Sequence, residues 1–229
     1  MISRPAAITS FFFHNRLSLS VLVSIMVLTP ILIPGIGVLL PMFLALCALF
    51  IGIKSGSAAM LGFRRPSSWP RLILQGAVIG LLAQLLFSSL LDPILELITG
   101  TNIDLSNLDG IKGNLSSYLV MLLIGWVIGG VLEELAFRGY LMTRVRTLLG
   151  ENFTGTTVAV LLSAVPFGIA HMYQDWAGVF STMIMGLILA LLFVRSRYNL
   201  LLPMLVHGFA NTFGITLIYL DMAEALRLF

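Results

Sequence analysis

The sequence predicts an all-α polytopic membrane protein: a bundle of about seven transmembrane helices, eight if a half-span lies within residues 92–116, with a polar site inside the bundle. Three observations predict it. The 229 residues are 59% apolar and only 10% charged, where a soluble domain averages about 25% charged. The charged side chains divide the chain into uncharged runs whose lengths suit one helical crossing or two. Finally, charged and imidazole groups stand at or inside several of those runs. Each charge there costs about 2.5–3.5 kcal/mol near the bilayer centre, so a chain that only anchors itself would not carry them.

Residues 1–16, with Arg4 and Arg16, look like the basic start of a signal sequence, but no small-x-small cleavage site follows. They are read as leading into an uncleaved first span. Leu17 to Ile53 is free of charge for 37 residues, enough for two crossings. Pro30, Pro34, Gly35, Gly37 and Pro41 cluster near its middle, so the turn belongs there and the spans are roughly 17–33 and 36–53. Cys47, the single cysteine, is read as a small buried hydrophobe. A basic connector follows, with Lys54, Arg64, Arg65 and Arg71.

The third span is Leu72 to Leu91, and Asp92-Pro93 is expected to end it because a residue before proline avoids helical dihedrals. An acidic loop then runs to Ser116. Span four begins near Ser117 and runs into Glu133-Glu134-Leu135-Ala136-Phe137-Arg138, followed by Arg144 and Arg146. Spans five to seven are roughly 156–173, 176–194 and 200–220. The chain reads as one transmembrane domain, 1–229, with motif-free spans in 1–116 and a motif-bearing helical core in 117–220.

With the N-terminus inside, ten basic residues from Arg4 to Arg197 share one side, while the acidic loop, Asp175, Asp221 and Glu224 share the other. That is the positive-inside pattern, with a cytoplasmic N-terminus. The net charge of +3 is spread among loops without interleaved aromatics, so nucleic acid is set aside as a partner.

Positions four apart share a helix face. Glu134 and Arg138 can therefore pair, while Glu133, rotated by about 100°, aligns with Gly125 and Gly129 and is read as the free carboxylate aimed into the bundle. The alternative is a single helix-stapling network of all three. Span five carries Phe167-Gly168-Ile169-Ala170-His171, and span seven His207-Gly208-Phe209-Ala210-Asn211, with His207 and Asn211 on one face. Two polar groups on one buried face need shared partners. A lone His171 serves equally as an interfacial residue, and His14 is read as interfacial with no role.

Glu-Glu-x-x-x-Arg at 133–138, Phe-x-x-x-His at 167–171 and His-x-x-x-Asn at 207–211, in this order and each on an apolar span, resemble the CPBP intramembrane protease family. That family comprises the type II CAAX prenyl proteases and the bacteriocin-processing or immunity-associated proteins. The resemblance covers about Ser117 to Leu220 and carries over six polar positions: Glu133, Glu134, Arg138, His171, His207 and Asn211. It implies an intramembrane endopeptidase acting on a membrane-associated peptide or a lipid-anchored protein. In that scheme Glu133 with His171 activates water, His207 and Asn211 stabilise the oxyanion, and Glu134 and Arg138 support them.

Glu133, His171 and His207 also make a zinc-like donor set. There is no His-Glu-x-x-His, and the resemblance favours metal-independent catalysis with no cofactor. The compact chain suggests a bacterial member in the inner membrane, with lipid as its surroundings. The other reading is a non-catalytic scaffold or bacteriocin-immunity protein that uses the same cluster for binding. A transporter would want internal repeats, which the sequence lacks.

Depth raises a difficulty. As drawn, Glu133 and His207 lie towards the basic ends of their spans, and His171 lies about 22 Å from the basic end of its own. A tilted span five, a later start for it, or a deep water-filled cone would each reconcile them.

Overall fold

The computed structural model describes residues 4–228, and for Arg4, Pro5 and Glu224 the backbone alone. The side chains of Arg4 and Glu224, both used above to orient the chain, therefore lie outside the described residues. The described chain folds into helices α1 (Arg4–Phe13), α2 (Arg16–Leu32), α3 (Ile36–Ser55), α4 (Trp69–Thr99), α5 (Leu115–Leu149), α6 (Phe153–Ile169), α7 (Met172–Arg195) and α8 (Leu201–Tyr219).

Among the described residues, α3, α4, α5, α7 and α8 are long and apolar enough to cross a membrane. The pair α1 and α2, bent by 54°, adds a sixth if it counts as one span. Helix α6 is apolar but only 17 residues long. Every expected span thus has a helix at its place. Leu17, Leu32, Phe43 and Leu82 are among many large apolar side chains facing outwards. A water-soluble surface does not carry such a belt, and the protein is an integral membrane protein.

From α2 to α8 successive helices alternate in direction, which brings Arg16, Arg64 and their neighbours to one end. Arg16 at the start of α2 donates to Leu148 O at the end of α5 (2.9 Å), and Asn199 before α8 donates to Arg64 O before α4 (3.2 Å). At the opposite, acidic end Gly35 N donates to Ala170 O, and Gly113 N to Tyr219 O. Lys112 pairs there with Asp221 at 2.5 Å.

Two expected boundaries are corrected. Helix α4 does not stop at Asp92-Pro93; it runs on to Thr99 and ends at Gly100, whose φ is +69°. A π-helical turn at Phe87–Leu91 precedes the proline. A wider i→i+5 turn loosens the backbone where the ring would otherwise clash. Pro93 cannot donate to Ser89 O, and that carbonyl accepts from Leu228 N instead (3.2 Å). The second correction is that α6 ends at Ile169 rather than near Tyr173. His171 therefore sits in the short connection to α7, outside any long helix.

Helix α5 runs 35 residues, through the acidic motif and well past it. Glu133 is near its middle, not close to a membrane face as the uncharged run suggested. Two stretches, Gly125–Glu133 and Leu135–Met142, are π-helical. Arg144, expected in a loop, is 2% exposed. Its guanidinium donates to Phe13 O (3.1 Å) and Met60 O (2.9 Å), tying the end of α1 and the α3–α4 connection to α5.

Helix α8 is the centre of the bundle, packed on α4 and α5. A Cβ at Gly80 of α4 would lie 2.7 Å from Val206 O and 2.9 Å from Ala210 N of α8. Only a residue without a side chain allows this approach, the small-residue contact that serves membrane helices in place of a hydrophobic driving force.

Candidate active site

The six polar positions come together from three directions. Helix α5 supplies Glu133, Glu134 and Arg138, helix α8 supplies His207 and Asn211, and the α6–α7 connection supplies His171. Glu133, His171, His207 and Asn211 line one cavity of about 700 Å³. The cavity extends from the level of His207 to the acidic end, where Asp92 and Asp104 border it. Glu133 and His171 line one continuous space, as the deep-cone alternative expects. Glu133 is deeper than the end of an apolar run implied, and His171 stands above it on the wall of the same space.

Glu134 and Arg138 form the expected i,i+4 pair, Nη1 to Oε1 at 2.7 Å, with both side chains fully buried. Arg138 also donates from Nη2 to Gly186 O of α7 (2.8 Å) and lies over the Phe167 ring at 4.7 Å. One guanidinium thus joins α5 to both α6 and α7. Nothing in the sequence singled out Gly186, whose contribution is a main-chain carbonyl.

Glu134 has a second partner besides Arg138. Glu134 Oε1 also meets His207 Nδ1 at 2.9 Å, and Glu133 Oε2 lies 3.9 Å from His207 Nε2. The two carboxylates straddle one imidazole, one at each ring nitrogen. A carboxylate only accepts, so Nδ1 carries the proton donated to Glu134, and Nε2 faces Glu133. A separation of 3.9 Å is too long for a direct hydrogen bond and suits a bridging water.

His171 Nδ1 lies 2.9 Å from Phe167 O. A carbonyl also only accepts, so the neutral ring keeps Nε2 as its acceptor. The imidazole nitrogen nearest Glu133 is His207 Nε2, at 3.9 Å, and His171 lines the same cavity. Asn211 Nδ2 donates to Gly125 O at 3.0 Å, which orients the amide and leaves it one further N–H. A Cβ at Gly129 would collide with Asn211 Nδ2 and lie 3.3 Å from His207 Nε2, so glycine makes the room in which these groups meet.

Among the described residues, no group of three or more His, Cys, Asp or Glu side chains is arranged to hold a metal ion. The set of Glu133, His171 and His207 named from the sequence is thus not gathered as metal ligands. Sequence reasoning missed a further part of the site: α4, from the motif-free half of the chain, lines the cavity with Gln84, Ser88 and Asp92. Three polar residues at i, i+4 and i+8 of an apolar helix were the available signal.

Residues 115–213 match the family model described as Type II CAAX prenyl endopeptidase Rce1-like, consistent with the CPBP resemblance of the three motifs. The family is one of peptidases, and the matched stretch contains all six polar positions. No curated protein and no solved structure matches the chain.

Proposed function

We propose that the protein is an intramembrane endopeptidase that hydrolyses a peptide bond in a membrane-associated peptide or lipid-anchored protein, with Glu133 as general base. The observation that carries the reading is the 3.9 Å gap between Glu133 Oε2 and His207 Nε2, inside a cavity with a polar floor and an open acidic end. A water in that gap donates its two hydrogens to these acceptors and turns its lone pairs outwards for attack. The match of residues 115–213 to a peptidase family supports the same chemistry.

In this mechanism Glu133 takes the water proton as oxygen adds to the scissile carbonyl, then returns it to the leaving amine. Atoms balance without a cofactor: one C–N bond breaks, and water supplies the new hydroxyl and the amine proton. Asn211 donates its remaining N–H to the oxyanion, a type of donor worth about 2.7–4 kcal/mol of barrier. His207, with Nδ1–H held by Glu134, keeps Nε2 as the acceptor that orients the water. Glu134, anchored by Arg138, holds the His207 ring in orientation. His171 Nε2 accepts from a substrate N–H. The arginine-rich end is cytoplasmic by the positive-inside rule, with the N-terminus on that side.

The test is digestion of a library of membrane-spanning and prenylated peptides by reconstituted protein, read by mass spectrometry. Wild type should yield products that the Glu133→Gln variant does not, with equal expression and melting temperature. Equal cleavage by both, or no cleavage by wild type, overturns the reading.

A further inference from the structure

The catalytic cavity has a second polar region at its acidic end, which the chemistry above does not use. Asp92 borders the cavity, and Glu96, which does not border it, lies one turn further along α4 and meets the cavity-lining Arg227. Asp92 Oδ1 accepts from Ser181 Oγ at 2.6 Å, and Glu96 Oε1 accepts from Ile103 N at 2.9 Å. Both carboxylates are thereby oriented and largely withdrawn from solvent. Against them lies the guanidinium of Arg227, which grips Glu96 with two bonds, Nη1 to Oε2 at 2.7 Å and Nη2 to Oε1 at 3.2 Å. Bidentate arginine–carboxylate geometry is strong and directional.

A second observation is independent of charge. The next residue, Leu228, donates its main-chain N–H to Ser89 O at 3.2 Å, the helix carbonyl that Pro93 leaves without its usual partner. Residues 227–228 are thus bound as a peptide is bound: one side chain in an acidic pocket and one backbone amide on a fixed acceptor. Ala223 and Arg227 border the same cavity as Glu133.

We propose that Glu96, Asp92 and the Ser89 carbonyl form a substrate subsite selecting an arginine or lysine, and that residues 221–228 occupy it as a built-in pseudosubstrate. The proposal rests on the peptidase reading for the word substrate, although the binding site does not depend on catalysis. Helix α4 touches α8 at the level of His207 through Gly80. From Gly80 to Asp92 the helix rises about 18 Å at about 1.5 Å per residue. An extended peptide at about 3.3 Å per residue covers that in five or six residues. The basic residue of a substrate therefore lies about five or six positions from the scissile bond. Undocking of residues 221–228 is required before a substrate reaches that depth.

The test uses the full chain in detergent and a fluorescent synthetic peptide with the sequence of residues 221–228, its binding read by anisotropy. Protein with Arg227→Ala, whose own segment no longer competes, should bind the peptide at least tenfold more tightly than wild type. Replacing the arginine of the peptide by alanine, or adding Glu96→Gln to the protein, should weaken binding at least tenfold. A charge-reversed protein, Glu96→Arg with Arg227→Ala, should instead bind a peptide carrying glutamate in place of arginine, which separates recognition from misfolding. No binding, or binding indifferent to these charges, overturns the subsite. Binding as described without proteolysis of the library above leaves the subsite standing and removes the peptidase reading; proteolysis without binding does the reverse.

Discussion

Glu134 holds His207 by Nδ1 at 2.9 Å while its other attachment, Arg138 at 2.7 Å, is sealed from solvent. One carboxylate thus joins a buried cation to the imidazole of the candidate site. Removing one partner of a buried ion pair costs about 3–5 kcal/mol because the other charge is left stranded. Glu134→Gln should lower unfolding stability by about that amount and release the His207 ring. Denaturant unfolding in detergent measures it, and a variant as stable as wild type contradicts the pairing.

The two histidines should separate in a stability measurement. His207 is 7% exposed and tied to Glu134 on another helix, so His207→Gln should reduce both melting temperature and proteolysis. Among the described residues, the His171 side chain bonds to Phe167 O one turn back and has ring contacts with Phe167 and Tyr173. His171→Gln should leave the melting temperature within a few degrees of wild type while proteolysis falls. Parallel melting and cleavage assays on the two variants distinguish a structural from a chemical role.

Gly129 makes room for Asn211 and His207. Gly129→Ala should force both side chains aside, costing about 1–3 kcal/mol of stability and lowering kcat more than it raises KM. Gly110→Ala is the control, since a Cβ there meets nothing within 4 Å. Equal kinetics for the two variants would contradict the close contact.

Arg144 donates to the carbonyls of Phe13 and Met60 from a position 2% exposed. Each carbonyl left without a donor costs about 1–3 kcal/mol. Arg144→Met should therefore destabilise the protein by several kcal/mol without touching the cavity, and the remaining folded fraction should keep wild-type kcat. Arg144→Lys should recover only part of the stability, because an ammonium lacks the fork that spans two acceptors.

The division between sequence and structure follows from the reach of each interaction. Hydropathy, the Pro30–Pro41 cluster and the basic connectors are local, and they located helices α2 to α8, while α1 lay in the stretch read only as leading into the first span. The Glu134–Arg138 pair is also local, set by helical spacing, and was legible for that reason. Boundaries that depended on distant partners were not. Asp92-Pro93 reads as a stop until Leu228, far along the chain, is seen satisfying Ser89 O. Glu133 reads as the end of a span until the buried partners of Glu134 and Arg138 allow α5 to continue.

The sequence by itself determined a membrane helix bundle and nominated six polar residues that the fold brings together, because lipid tolerates buried charge only where it is used or paired. Tertiary structure alone decided that Glu133 lies beside His207, that Gly186 and Gly125 accept hydrogen bonds through main-chain oxygens, and that α4 lines the cavity. Those contacts lie between helices, and helix packing sets their distances in ways that spacing along one chain does not encode.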